Sequence, residues 1–282
     1  MKKFKHIILL IRLNHWIKNI LVFTPLFFAQ EIFTYKFIDA LYSFLVFCFA
    51  ASSVYIINDI FDIEYDKKHP TKKDRPLASG KISIHKALFV LSFLLILSGV
   101  ILYFFIPQLV FVIFSYLVLN ILYSAYLKHI IIIDILLISF LYLIRIIAGG
   151  VATYIYISDW LILCTIFISL FIIVGKRKSE LSHINKRKVL NFYSVEILNV
   201  FLAITASLSI LSYSLYTVLV VRSIAVYSIF FVLMGIFRYI FLIYSSRSSE
   251  YPEKVIFSDR IIFWNIILWT LFMYFIFYTK SL

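Results

Sequence analysis

Residues 58–80 read NDIFDIEYDKKHPTKKDRPLASG, a polar stretch set between two long apolar runs. Five of the chain's 14 acidic residues fall inside it: Asp59, Asp62, Glu64, Asp66 and Asp74. If the preceding apolar helix continues for about two turns, Asn58, Asp62 and Asp66 stack at i, i+4 and i+8, and Asp59 joins that face. Like charges at this spacing repel, so the face requires a compensating cation. Hard oxygen ligands suit Mg2+, which takes one or two carboxylates and fills its shell with water and substrate phosphates. Lys67, Lys68, Lys72, Lys73 and Arg75 follow at once. Carboxylates for a metal beside cations for phosphate oxygens make a diphosphate site the economical reading. The alternative is a solvated connector whose charge only sets topology.

What flanks this stretch decides the fold class. The chain has 282 residues, 63% of them hydrophobic and 15% charged, with a mean hydropathy of +1.00. Apolar runs long enough to cross a bilayer recur from end to end, which excludes an ordinary soluble chain. Nine spans are expected, near residues 16–35, 37–57, 85–106, 108–127, 131–150, 159–175, 195–217, 223–244 and 260–279. Extended backbone is not tolerated in lipid, so the expectation is an all-α, polytopic membrane bundle of nine transmembrane helices. It is read as one domain over 1–282, with a central cavity open to the cytoplasmic side.

The net charge of +13 needs no nucleic acid to explain it. With the N-terminus in the cytoplasm, 22 of the 27 Lys and Arg residues fall on the cytoplasmic side, as the positive-inside rule requires. The basic start MKKFK resembles a signal peptide, but Arg12, Asn14 and Lys18 interrupt the apolar part, so it reads as a retained first helix. Cys48 and Cys164 carry no redox or metal spacing and the six histidines are scattered, so zinc is not expected.

Further polar features each carry two readings. Trp16 and Lys18 are either interface anchors or, for Lys18 together with Asn19, inward-facing partners of phosphate oxygens. Tyr123, Lys128 and Asp134 surround the turn between the fourth and fifth spans; a carboxylate near a helix start is also favoured by the dipole alone. Arg145 lies eleven residues beyond Asp134, deep enough to face the bundle interior, as a substrate contact or as a structural partner. Gly175-Lys176-Arg177-Lys178-Ser179-Glu180 is a compact cationic patch or topology charge.

The pattern NDxxDxxxD, at Asn58, Asp59, Asp62 and Asp66, resembles the first aspartate-rich motif of the UbiA superfamily of intramembrane prenyltransferases. RLNHWIKNILVFTPLFF, HPTKKDRPLASG, YSAYLKHIIIIDILL, GKRKSELSH and FRYIFLIY extend the resemblance over most of the chain in order. The combination is similar to the phosphoribosyl-transferring subgroup. The superfamily implies nine helices, a cytoplasmic-side cavity and a diphosphate bound through Mg2+. One departure is informative: where aromatic-acceptor prenyltransferases show a second acidic motif, this chain reads Gly-Lys-Arg-Lys-Ser-Glu. In the first helix, Leu13 stands where the subgroup's proline is expected.

The resemblance implies transfer of 5-phosphoribose from phosphoribosyl diphosphate to a polyprenyl phosphate lipid, within the bilayer of the cell's inner or plasma membrane. Asp59, Asp62 and Asp66 would hold Mg2+ with Asn58 as an added ligand, and Lys72 and Arg75 would neutralise the leaving group. Lys18, Tyr123, Lys128, Asp134, Arg145, Lys176 and Arg177 are the remaining candidates for substrate contacts. The alternative is transfer of an isoprenoid from its diphosphate to an aromatic or other polar acceptor. Transport is disfavoured because the acidic cluster lies at a membrane edge, not at the midplane. Whether the chain forms a homo-oligomer stays open.

Overall fold

Long apolar runs bounded by hydroxyl caps and prolines define the helices. The computed structural model describes residues 2–68, 72–181, 188–221, 223–245, 255 and 258–279. Outside these lie His69 to Thr71 of the polar stretch, and Lys186, Arg187, Arg222, Arg247, Lys254 and Lys280, all counted above for topology. The helices are α1 Lys2–Ile11, α2 Thr24–Phe28, α3 Lys36–Phe61, α4 Ile63–Lys68, α5 Ile84–Phe104, α6 Val110–Ala125, α7 Ile133–Thr153, α8 Asp159–Glu180, α9 Val195–Tyr216, α10 Ile229–Ser245 and α11 Arg260–Thr279. There is no strand among the described residues. Ser83, Ser158 and Ser194 cap α5, α8 and α9 by accepting the N–H three residues on, each satisfying one orphan donor of a first turn.

Eight helices among the described residues are long and apolar enough to cross a membrane, matching eight of the nine expected spans. Their outer faces carry large apolar side chains, such as Phe89 at 73% and Phe111 at 82% exposure, a surface suited to lipid and not to water. Within the helices, Ser53, Thr165, Thr205, Ser209 and Ser214 return their hydroxyls to the carbonyl four residues back, so these polar groups are satisfied locally and not left to the hydrocarbon.

The expectation of a long first helix over 16–35 needs correction. Residues Leu13–Phe23 form a 3-10 helix, followed by the single turn and a half of α2 with Pro25 in its first turn. A run of eleven residues is unusual for this conformation, and its partners show what sustains it. Three residues per turn align Trp16, Asn19 and Val22 in one straight row. Trp16 Nε1 donates to Ser52 Oγ at 3.0 Å, Asn19 Nδ2 donates to Cys48 Sγ at 3.3 Å, and Val22 is fully buried. Ser52 Oγ in turn donates to the Ile11 carbonyl at 2.8 Å. The close approach at the end of the row depends on Gly149 of α7: a Cβ there would lie 2.0 Å from the Val22 carbonyl oxygen.

The expectation of one domain also meets a finer division. The chain forms two compact units, one of Met1–Ala125 with Ile144–Ile155, the other of Tyr126–Leu143 with Tyr156–Leu282; α7 contributes its first half to the second unit and its second half to the first. In the first unit, Leu10, Ile56, Leu77, Ile82, Ala87 and Leu94 form a core beneath the polar stretch. The second unit is centred on Phe171, Val174, Leu190, Leu198 and Ile236.

Candidate active site

The polar stretch begins on α3 and is re-aimed at one residue. Asp62 caps α3 with φ −93° and ψ 5°, and α4 resumes immediately. Backbone bonds bridge the break: Asp62 N–H donates to the Asn58 carbonyl at 3.0 Å, and Asp66 N–H to the Asp62 carbonyl at 2.8 Å. Beyond α4, a 3-10 turn over Lys72–Asp74 leads into Arg75. Arg75 N–H donates to the Lys72 carbonyl, and Ser79 returns both its N–H and its hydroxyl to the Arg75 carbonyl. Leu77 and Ile82 are buried in the core below, and Gly80 supplies the positive φ of 69° that the turn between them requires. Two apolar anchors and a wound backbone thus aim the Arg75 side chain back over α3.

The guanidinium of Arg75 bridges two carboxylates. Its Nη1 donates to Asp66 Oδ2 at 2.7 Å and to Asp59 Oδ1 at 3.1 Å. Arg12 Nη2 donates to the same Asp59 oxygen at 2.5 Å, with its guanidinium 4.7 Å above the Tyr55 ring. Asp59 and Asp66 are both almost fully buried, whereas the two arginines stay partly accessible. The compensating cation demanded by stacked carboxylates is therefore present as two guanidiniums, and the four groups are formally neutral.

Asn58 and Asp62, expected as ligands beside this pair, are half-buried. Among the described residues no three carboxylate, imidazole or thiol groups converge as a metal cage; Asp59 and Asp66 are brought together on Arg75. The seven-residue spacing is the reason: two turns return Asp66 to within about 20° of Asp59 on a helix face, whereas Asp62 sits at the break. The pair still fits a hard divalent ion. Asp66 Oδ1 is buried and has no hydrogen-bond partner, an oxygen of the type Mg2+ seeks, and two carboxylates are as many as Mg2+ commonly takes from protein.

The other first-unit candidates lie around this core. Lys72 Nζ sits 5.5 Å from the Tyr65 ring centroid. Lys18 is half-buried on the 3-10 helix and Tyr123 half-buried on α6. Arg145 is buried in a separate network: its Nε donates to Asn19 Oδ1 at 2.8 Å and its Nη2 to Tyr116 Oη at 3.0 Å. Asn19, expected to meet phosphate, is fully buried between Arg145 and Cys48.

The second unit holds its own ion cluster. Asp134 and Arg177 are both fully buried and paired through Nε and Oδ2 at 2.8 Å. Arg177 Nη1 also donates to Glu180 Oε2 at 2.7 Å. Tyr193 Oη donates to Asp134 Oδ1 at 2.9 Å and accepts the Ile132 N–H at 2.7 Å. Burial, then the neighbouring Asp134 carboxylate, push the Tyr193 phenol up to about 12, so it remains a donor. That bond steadies Ile132, whose φ of 69° is an outlier for a β-branched residue. Arg177 and Asp134, expected as open substrate contacts, are thus closed on each other. Lys178 stacks its ammonium on the Tyr244 ring. Lys176, 3.9 Å from Glu180, keeps about a quarter of its side chain exposed, and Lys128 is half-buried in the 3-10 turn Leu127–His129. Sequence reasoning missed Arg12 as a member of the site; its contact spans 47 residues and nothing local announces it.

The chain is a multi-pass helical membrane protein with a buried aspartate pair capped by cations at the end of one span. The chain belongs to the UbiA prenyltransferase family, which matches residues 20–267. It is 37% identical over 216 residues to decaprenyl-phosphate phosphoribosyltransferase of Mycobacterium tuberculosis strain H37Rv, covering 73% of this chain and 72% of that one. The Mycolicibacterium smegmatis protein of the same name is also 37% identical over 216 residues, covering 73% and 68%. The structure of a UbiA homolog from Archaeoglobus fulgidus bound to GPP and Mg2+ superposes with a TM-score of 0.72 at 16% identity, covering 98% of this chain and 100% of that one. That likeness is one of fold.

Proposed function

We propose that the chain transfers 5-phosphoribose from phosphoribosyl diphosphate to a polyprenyl phosphate, with Mg2+ at Asp59 and Asp66. The observation that carries the site is the buried pair bridged by Arg75, with one Asp66 oxygen left open. The choice of donor and acceptor rests on the likeness to the mycobacterial enzymes. When bound, the metal supplies charge neutralisation on the diphosphate as its bond to C1 breaks. Asp59 and Asp66 orient that ion, with Asn58 and Asp62 adjacent in the chain as further oxygen donors. Arg75 and Lys72 neutralise the departing diphosphate, and Lys18 adds a cation from the 3-10 helix. The acceptor phosphate is already anionic near neutral pH, so no general base is required. Lys128, Lys176 and Tyr123 stay proposed as substrate contacts, as the family resemblance implies. Arg145, Asp134 and Arg177 then act by holding their own networks.

The reading treats residues 1–282 as one functional domain, since the family match runs across both units. It includes nine crossings of the inner or plasma membrane with the N-terminus in the cytoplasm, supported by the Lys and Arg asymmetry. A 3-10 helix rises about 2.0 Å per residue, so Leu13–Phe28 extends about 30 Å, the thickness of the hydrocarbon.

The family name favours a second reading, transfer of an isoprenoid from its diphosphate to a polar acceptor. Purified protein given labelled phosphoribosyl diphosphate with polyprenyl phosphate, or labelled polyprenyl diphosphate with hydroxybenzoate, separates the two. Label entering lipid in the first mixture, dependent on Mg2+, is the expected result; incorporation only in the second overturns the proposal.

A further inference from the structure

Arg12 sits where α1 ends and the 3-10 helix begins, in the left-handed region at φ 54° and ψ 53°. A non-glycine residue adopts that conformation at an energetic penalty and keeps it only while its surroundings hold it there. The surroundings are specific: Ser52 holds the preceding carbonyl, Tyr55 lies under the guanidinium, and Asp59 accepts its hydrogen bond. Asp59 Oδ1 thus receives two guanidiniums, Asp66 Oδ2 receives one, and the buried Asp66 Oδ1 receives none. With the two arginines seated, the carboxylate pair is already neutralised. A divalent ion added to that quartet would crowd four positive charges onto two carboxylates in a poorly solvated site. One guanidinium must give way. Arg75 holds both carboxylates and is anchored from below by Leu77 and Ile82. Arg12 holds only Asp59, on a backbone with strain to release.

We propose that Arg12 is the resident counter-cation of this site. It holds Asp59 while no divalent ion is bound and withdraws when one binds, which couples metal occupancy to the conformation of residues 8–24. The inference rests on the reading that Asp59 and Asp66 take a divalent cation.

The test uses Mn2+ alone, titrated into the purified full chain in detergent without substrate and followed by electron paramagnetic resonance. Arg12→Gln should bind Mn2+ about tenfold more tightly than the unsubstituted chain, because a nearby positive charge has been removed. Arg12→Lys, which keeps the charge, should stay within about threefold of it. In the unsubstituted chain, saturating Mn2+ should speed amide hydrogen exchange across residues 8–24, and this reading decides the matter if Arg12→Gln fails to fold. Asp66→Asn should abolish Mn2+ binding. Loss in Asp66→Asn with no tightening in Arg12→Gln, with equal tightening in Arg12→Lys, or with exchange unchanged by Mn2+ overturns the role of Arg12 and leaves the metal site standing. Full-strength binding in Asp66→Asn overturns the metal site and this inference with it.

Discussion

Asp66 keeps one carboxylate oxygen on Arg75 and the other unpartnered in the interior, so asparagine there removes charge with little change in volume. Asp66→Asn is expected to lower labelled phosphoribose transfer by on the order of 10²-fold or more, while the protein still elutes as a folded species. Asp62→Asn is expected to behave likewise, since it too relieves repulsion between carboxylates. The Arg177 cluster should respond in the opposite way. Removing one member of a buried pair strands the other, so Arg177→Met should cost about 3–5 kcal/mol in unfolding experiments, and Asp134→Leu with Arg177→Met should recover most of it. Tyr193 adds a pH signature. Its raised folded value means that its contribution is fully present below the ordinary phenol value of about 10 and is lost as pH rises through about 12. Alkaline loss of stability should therefore be shallower in Tyr193→Phe than in the unsubstituted chain. That Asp59, Asp66 and Arg75 come together was legible from spacing and charge. The place of Arg12 beside them was not, because that pairing is a tertiary contact, and neither was the burial of Arg177, because a cation's exposure is not encoded by its neighbours in sequence.

Among the elements, eight spans follow directly from apolar runs of sufficient length, because hydrocarbon permits little besides helix. The first expected span failed at a different point: its residues follow a three-residue period, and a 3.6-residue template spreads Trp16, Asn19 and Val22 over about 120° of arc in place of one straight row. Only the partners on α3 reveal the row. The polar stretch was expected to continue α3 for two turns, and it does so with a one-residue break at Asp62 that a helical wheel does not show. Gly149→Ala tests the packing at the end of the row. A Cβ 2.0 Å from the Val22 carbonyl oxygen forces backbone apart, and the expected loss is roughly 1–3 kcal/mol, read as a lower melting temperature in detergent.

For the whole molecule, the recurring apolar runs made the membrane class legible, and the distribution of Lys and Arg supports the proposed orientation, while the division into two units was not legible, since it depends on contacts between distant residues. The orientation has a direct check. A cysteine at Phe33, which is 76% exposed, should react with an impermeant maleimide added outside intact cells, above the background of Cys48 and Cys164. A cysteine at Lys67 should react only after permeabilisation, and the reverse pattern would invert the assignment. The straight 3-10 row also bears on which lengths of chain this protein tolerates. One residue inserted within 13–23 would turn everything after it by about a third of a revolution, swinging Asn19 and Val22 out of phase with α3. Deleting three would restore the phase but shorten the segment by about 6 Å. Natural variation in this stretch should therefore substitute side chains freely on its outer faces and almost never change the residue count.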